Sequence, residues 1–341
     1  MLCRSPVLFY IEDNGYGISV PSVMQTPGGD IAANLASFHG LHVLNGDGTV
    51  PEEATSLIDA AIAHVRERRG PCLLRLRVPR LEGHSFQDTQ TYKSPEVIAA
   101  EWARELDKHG VHGAAMIASL PGDQGSVAEA GATYPDRILP YAMVNPKMWN
   151  AEAMSGIRAA CLFPAMHGYS IQDDSVRPVF EWAEQGKRAV FIHCGTLSVG
   201  VRDKLGMPSP FDLKCSNPVD VQLVARKHPR VPIVVPHFGA GFFRESLMLA
   251  DQYPNVYLDT SSSNKWMRFQ DTHLDLRHVF KKALEVVGPK RLLFGTDSSF
   301  FPRGWHFQIF EDQATALYEV GVHKEDARGI FGENLLRIFS A

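Results

Sequence analysis

Cysteine is scarce in this chain and forms no pattern. Five stand in 341 residues, Cys3, Cys72, Cys161, Cys194 and Cys215, an odd number with no Cys-x-x-Cys spacing. That argues against a disulfide framework and against a thiolate zinc site. Three of them lie in or beside apolar runs, the ordinary place for a reduced core cysteine, so a reducing cytoplasm is the expected compartment. Long apolar runs are missing too: nothing approaches the roughly 18 residues a membrane span needs. The run Val7-Leu8-Phe9-Tyr10-Ile11 is too short for the core of a signal peptide. Nor is there an excess of one charge. Against 34 Lys and Arg stand 38 Asp and Glu, a formal net charge of −4, which gives no electrostatic reason to expect nucleic acid or an anionic membrane as partner. Low-complexity tracts and repeats of fixed period are also absent.

What is present is ordinary for a globular protein, with 45% hydrophobic and 21% charged residues. The length suffices for one large core or two smaller ones. A small-molecule substrate is the expected partner, and a homo-oligomer is compatible with the composition.

The pattern divides the chain near residue 105. Before it, 7–11 reads as a buried parallel strand with almost nothing ahead of it, as if the chain began inside a domain. A helix near 29–38, a strand near 41–45, a strong amphipathic helix at 51–69, a strand at 72–78 and a helix at 95–109 follow. After it, strands and helices alternate. Strands are expected at 113–119, 137–144, 157–163, 188–194, 231–237, 255–259 and 291–296. Helices are expected at 150–156, 174–186, 217–228, 241–253, 275–287, 308–320 and 324–330. Such alternation builds a parallel sheet with crossover helices. Seven strands ending in polar or Gly-rich loops point to a (β/α) TIM-like barrel lacking one strand.

Three of those strands end on residues that carry chemistry. Phe191-Ile192-His193 places His193 at a strand tip, Val234-Val235-Pro236-His237 does so for His237, and Leu293-Phe294-Gly295-Thr296-Asp297 ends on Asp297. In a barrel the C-terminal strand ends converge on one mouth. Imidazole and carboxylate are ligands for zinc, manganese or a related divalent ion, which would lower the pKa of a bound water. Each residue alone has a plainer reading, a hydrogen-bonded core histidine or a helix-capping aspartate. Three at matching strand ends favour a site.

The stretches "FIHCG", "VPHFG", "NVYLDTSS", "LLFGTDSSF" and "GIFGENLLRIF" resemble the amidohydrolase-related branch of the amidohydrolase superfamily, over residues 105–341. That branch includes metal-dependent hydrolases and non-oxidative decarboxylases. The resemblance implies that His193 and Asp297 ligate a divalent metal, zinc or manganese, and that His237 activates water or protonates substrate. In a decarboxylase, His237 and Asp297 would share the proton. Read from their positions alone, Asp259 at a strand end could orient a ligand, and Arg303 in "FFPRGW" either binds a substrate carboxylate or is a solvated loop arginine. One part of the family pattern is missing. Its first strand ends in His-x-His, and no His-x-His occurs in this chain; His39 and His42 are one residue too far apart. The expected activity is therefore hydrolysis or decarboxylation of a small carboxylate, lactone or amide, impaired for want of two metal ligands.

The stretches "PVLFYIEDNGYGISVPS", "QTPGGDIAANLASFHGLHVLNGDGT" and "YKSPEVIAAEWAR" resemble the alpha-type component of thiamine-diphosphate-dependent 2-oxoacid dehydrogenases, over residues 1–104. The resemblance implies a truncated α/β thiamine-diphosphate-binding fragment, with Asn14 and Tyr16 as Mg²⁺ ligands and His84 in the loop approaching the diphosphate. The family's Gly-Asp-Gly precedes that Asn by some thirty residues, whereas here Asn14 has thirteen residues before it. Mg²⁺ and thiamine diphosphate are accordingly not expected to be held by this fragment. The alternatives to a metal-dependent hydrolase are a partner-dependent dehydrogenase component and a non-catalytic fusion. One further arrangement would join the halves: strand 72–78 could fill the vacant barrel position and bring His84 to the mouth.

Overall fold

The computed structural model describes residues 5–18, 20–81, 92–197, 202, 205–262, 264–299, 301 and 303–340. The chain forms two compact units, residues 1–94 with 299–303, and residues 95–298 with 304–341.

In the first unit three parallel strands, β1 (Leu8–Asp13), β2 (His42–Asp47) and β3 (Cys72–Arg77), lie in the order β1-β3-β2. Leu8 and His42 both pair with Cys72, which fixes the register. The short helix α1 (Ile31–Leu35) precedes β2, and α2 (Pro51–Arg66) joins β2 to β3. Pro51 opens α2 where no amide donor is needed. Glu52 and Glu53 in its first turn and Arg66 in its last complement the helix dipole. Its apolar face, with Leu57, Ile58, Ala61 and Val65, covers Cys72, Leu74 and Leu76. On the opposite face of β3, Arg75 is buried and binds Asp13 at 2.7 Å, Asp30 at 3.1 Å and Asn45 at 3.1 Å. Asp30 also caps α1 through the Ala33 amide, at 3.0 Å. One guanidinium thus ties strand, loop and helix together.

Two expectations are corrected here. Strand 72–78 does not enter the barrel; it is the central strand of this separate sheet, held on both sides by backbone pairing. The run from Val7 is not a buried central strand either. β1 pairs on one side only, and Phe9 and Tyr10 are 52% and 47% exposed. His84 falls among residues 82–91, outside the described residues.

The second unit is a curled parallel sheet of seven strands in strict chain order: β4 (Ala114–Ala118), β5 (Ile138–Val144), β6 (Ala159–Leu162), β7 (Ala189–Ile192), β8 (Ile233–Val235), β9 (Val256–Asp259) and β10 (Leu292–Leu293). Helix α3 (Pro95–Lys108) leads into β4, and α4 (Gln124–Thr133) leads from it. Further along come α5 (Arg177–Gln185), α6 (Gln222–Lys227), α7 (Phe243–Gln252), α8 (Leu276–Val286), α9 (Phe307–Glu319), α10 (Lys324–Arg328) and α11 (Asn334–Ser340). Alternation along the strands divides the core. Ala160, Leu162, Val190, Ile192, Ile233, Val235 and Leu258 pack outward under the helices. Tyr141, Cys161, Phe191, Val234 and Leu293 turn inward, where Ile338 of α11 packs against them.

The sheet does not close on itself: β4 and β10 are its two edges. The β10 edge is capped by the C-terminal segment. Asn334 Nδ2 donates to the carbonyls of Pro289 (2.8 Å) and Leu292 (2.9 Å), and the Phe294 amide donates to Ile330 (2.9 Å). Side chains link the two ends of the sheet. Glu105 of α3 accepts the Trp305 amide at 3.0 Å, and His109 stacks on Trp305 at 5.1 Å between ring centroids. Where a helix is expected at 150–156 there is only a single 3-10 turn, Glu152–Met154, and α4 was not anticipated.

Candidate functional site

The site lies just past the ends of β7, β8 and β9. The His193 amide continues the ladder by donating to the Leu162 carbonyl at 2.9 Å, which fixes the residue as an extension of β7. Its ring is 5% exposed, stacks on Phe163 at 5.3 Å, and meets the His237 ring edge-on at 5.2 Å. Burial, with His237 next to it, pulls its pKa down to about 3. His193 is therefore a neutral imidazole across the physiological range.

His237 follows β8 and Pro236 in a left-handed turn, with φ +57 at His237, +51 at Phe238, +85 at Gly239 and +43 at Ala240. Non-glycine residues in that region cost about 1–2 kcal/mol each, so surrounding bonds must hold the turn. The Thr196 amide and hydroxyl both donate to the Ala240 carbonyl, at 2.9 and 3.0 Å. Gly195 lets the β7 loop come this close: a Cβ there would stand 2.1 Å from the Gly239 carbonyl oxygen.

The turn aims His237 Nδ1 at β9. That nitrogen lies 3.1 Å from the Ser261 carbonyl oxygen and 2.9 Å from its hydroxyl. A carbonyl only accepts, so Nδ1 carries a hydrogen. The Ser261 hydroxyl donates in turn to Asp259, and the Ser261 amide also donates to that carboxylate, at 2.7 Å. Burial pushes the Asp259 carboxyl up, while His237 and Ser261 pull it back. Asp259, Ser261 and His237 form a chain of hydrogen bonds that leaves Nε2 with no partner among the described residues.

Asp297 is four residues past β10, exposed, at φ +53. The loop around it is held by Thr296 Oγ1 with Ser298 Oγ (2.8 Å) and by the His306 amide on Ser298 Oγ (2.8 Å). The structure thus brings His193, His237 and Asp259 together and puts Asp297 in an exposed turn. A catalytic zinc takes three protein ligands. No group of three or more His, Cys, Asp or Glu that could hold a metal ion occurs among the described residues. Among the described residues, the donor set at the mouth does not fit a resident divalent ion. A groove of about 340 Å³ nearby is lined by Ser262, Asn264, Arg277, Gln313 and Glu319, not by the two imidazoles.

Arg303 is exposed, lies in the 299–303 segment that groups with the first unit, and donates to Ser299 Oγ at 3.2 Å. In the first unit Asn14 Oδ1 accepts the Tyr16 amide at 3.1 Å. The neighbouring Asp13 is committed to Arg75 and to the Gly15 amide. Mg²⁺ needs near-octahedral oxygen ligands, usually with a carboxylate among them. These residues do not fit Mg²⁺ with thiamine diphosphate.

The amidohydrolase family profile matches residues 88–340. The chain belongs to the amidohydrolase family. A second profile, the dehydrogenase E1 component, matches residues 1–111. Among solved structures, the chain is similar to an uncharacterized TIM-barrel protein from Bordetella bronchiseptica, with TM-score 0.52, 15% identity and 98% of each chain covered. It is also similar to 5-carboxyvanillate decarboxylase from Sphingomonas paucimobilis, with TM-score 0.50, 15% identity, and 89% of this chain and 99% of that one covered. A probable 2-pyrone-4,6-dicarboxylic acid hydrolase from Acinetobacter baumannii gives TM-score 0.50, 15% identity, and 71% and 89% coverage. At such identities the likeness is one of fold. Among curated proteins, protein fluG of Emericella nidulans is 36% identical over 88 residues, 26% of this chain and 10% of its own length. The pyruvate dehydrogenase E1 component subunit alpha of Rhizobium meliloti is 28% identical over 97 residues, 28% of each. The chain spans between a tenth and under a third of the length of these curated relatives.

Sequence reading did not single out Ser261, although it stands in the quoted "LDTSS" stretch two residues after Asp259, the spacing at which an Asp carboxylate reaches its own backbone amide. Phe163, the ring on which His193 lies, carried no sequence signal beyond its apolar strand.

Proposed function

We propose that residues 105–341 catalyse hydrolysis of a small lactone, amide or carboxylate ester-like substrate, with His237 as the proton-transferring group. The observation that supports this reading is the Asp259–Ser261–His237 chain, which holds a hydrogen on Nδ1 and leaves Nε2 with no partner among the described residues. Substrate at the mouth would meet Nε2 beside the neutral ring of His193. Nε2 takes a proton from an attacking water, and Asp259 steadies the imidazolium through Ser261. The same proton then goes to the leaving oxygen or nitrogen.

Non-oxidative decarboxylation is the second reading within the family, in keeping with the decarboxylase among its structural neighbours. It asks for the opposite starting state, a protonated His237 that gives its proton to carbon as CO₂ leaves. Catalysis is expected to be weak, since the sequence carries no His-x-His and the donors among the described residues do not complete a metal site. Thiamine-dependent chemistry is not proposed for the first unit, which matches about a quarter of its dehydrogenase relatives.

The test is a proton-release assay over small lactones, amides and aromatic carboxylates, run beside His237→Asn. Turnover lost in the variant supports the reading. Turnover that survives His237→Asn would place the chemistry elsewhere.

A further inference from the structure

At the N-terminal ends of the strands, away from the mouth, two arginines stand side by side. Ala159 pairs with Ala189, so Arg158 and Arg188, one residue earlier on each strand, are lateral neighbours, and the Ala189 amide donates to the Arg158 carbonyl at 3.2 Å. Both side chains are partly buried. Each guanidinium has one carbonyl and one ring to rest on. Arg158 Nη2 donates to the Phe339 carbonyl at 3.2 Å and lies over that ring at 5.1 Å. Arg188 Nη1 donates to the Trp182 carbonyl at 3.0 Å and lies over that ring at 4.4 Å.

Those contacts supply no anionic partner among the described residues. Neither arginine forms an ion pair with a carboxylate among the described residues, and Arg158 Nε is buried without an acceptor. Like charges on neighbouring strands repel, and burial followed by Arg158 lowers the pKa of Arg188. A buried donor without an acceptor costs about 1–3 kcal/mol. Repulsion and an unmet donor at one place call for the same remedy, an anion with several acceptor oxygens.

We propose that Arg158 and Arg188 form a binding site for a small oxyanion, a phosphate or carboxylate group, at the end of the barrel opposite the catalytic mouth. Guanidinium forks suit such groups because they offer parallel N–H donors. The site is independent of the proposed hydrolysis, since neither residue belongs to the mouth.

The experiment is thermal unfolding of the full chain followed by tryptophan fluorescence, at constant ionic strength, against rising inorganic phosphate or citrate. All five tryptophans (Trp102, Trp149, Trp182, Trp266 and Trp305) lie in the second unit, so the signal reports that unit alone. The expected result is a saturable rise in midpoint of about 2–4 °C that is absent in Arg158→Met and Arg188→Met. These variants keep an apolar stem on the rings. The double variant supplies a second reading: the coupling between the two sites is repulsive without the anion and vanishes or turns favourable with it. A response to phosphate alone identifies a phosphoryl ligand, and a response to citrate alone a carboxylate. The proposal is overturned if both salts act no differently from chloride, or if the variants keep the response.

Discussion

Glu105 accepts the backbone amide of Trp305 at 3.0 Å across 200 positions of sequence, and this bond links the two edges of an open barrel. Glu105 is 9% exposed and also meets His109 at 3.1 Å and Lys108 at 3.4 Å. Burial alone would raise its pKa; the Trp305 amide and Lys108, with His109 beside them, outweigh that and hold it below the usual carboxylate range. Glu105→Ala removes an acceptor from a buried amide and should destabilise the second unit by about 2–4 kcal/mol. Urea unfolding followed by tryptophan fluorescence measures this. A loss under 0.5 kcal/mol, on the order of a surface substitution, would mean the link is incidental.

His193 makes the second unit sensitive to acid. Its pKa is depressed from 6.5 to about 3 by burial and by His237. The unfolded chain therefore takes up a proton below pH 6.5 that the folded chain cannot. Stability from this group is full above that pH and falls by up to about 1.4 kcal/mol per pH unit as pH drops towards 3. His167, also lowered by burial, acts in the same sense. Asp259, raised by burial, acts in the opposite sense at the acid end of the window. Between about pH 6.5 and 5 the unit should lose roughly 2 kcal/mol, and His193→Gln should lose clearly less over that range. Equal slopes for the two proteins would show that His193 titrates normally.

Much of this architecture was legible in the sequence because the apolar runs of a parallel sheet are nearly continuous. Strands β1 to β10 stand where runs such as Cys72–Arg77 and Ile138–Val144 suggested. Helix α4 was missed for a physical reason: Gly125 and Gly131 interrupt a weakly amphipathic, alanine-rich segment. Gly131 is needed there, since a Cβ would meet Pro140 Cγ at 2.2 Å. The membership of strand 72–77 could not be read from one sequence, because a buried β3 and a barrel strand share the same composition. At the site, His193 and His237 were found by their place after strands. Ser261 was not, because its role depends on a left-handed turn at His237 that no local pattern announces.

The hydrogen-bonded chain at the mouth makes a separable prediction. Asp259→Asn leaves the shape but removes the charge that steadies an imidazolium, so kcat should fall about 10–100-fold with KM little changed. His237→Asn should cost about 10²–10⁴-fold. Nitrogen-15 spectra of the imidazoles give a check that needs no substrate. Wild type should carry its His237 hydrogen on Nδ1, and Ser261→Ala should shift the population towards Nε2–H. A wild-type ring already protonated on Nε2 would remove the basis for general-base catalysis.

Tyr141 tests the lumen beneath that chain. Its ring points into the barrel beside Cys161, Phe191 and Val234, 4% exposed, and packs on Phe339 at 6.1 Å. Its hydroxyl has no hydrogen-bond partner among the described residues, and burial with the nearby Cys161 and Asp259 pushes its pKa well up. A phenol held neutral and unmet in an apolar lumen gains little from its oxygen. Tyr141→Phe deletes that oxygen and keeps the ring, so it should stabilise the unit by about 1 kcal/mol. A destabilisation of the same size would mean that the hydroxyl has a partner in solution.

Metal content follows from the donor set. Two imidazoles, one of them already committed through Nδ1 to Ser261, fall short of the three ligands a catalytic zinc site uses. Without a third ligand among the described residues, affinity depends on two imidazole nitrogens and should be weak. Elemental analysis of the purified chain should find zinc and manganese well below one equivalent, and the same for Asp297→Ala. Stoichiometric metal in wild type that is lost in Asp297→Ala would mean that the exposed turn at φ +53 folds inward around an ion. The Asp297 carboxylate would then join His193 at the mouth, and the proton relay on His237 would act on a metal-held water instead of a free one.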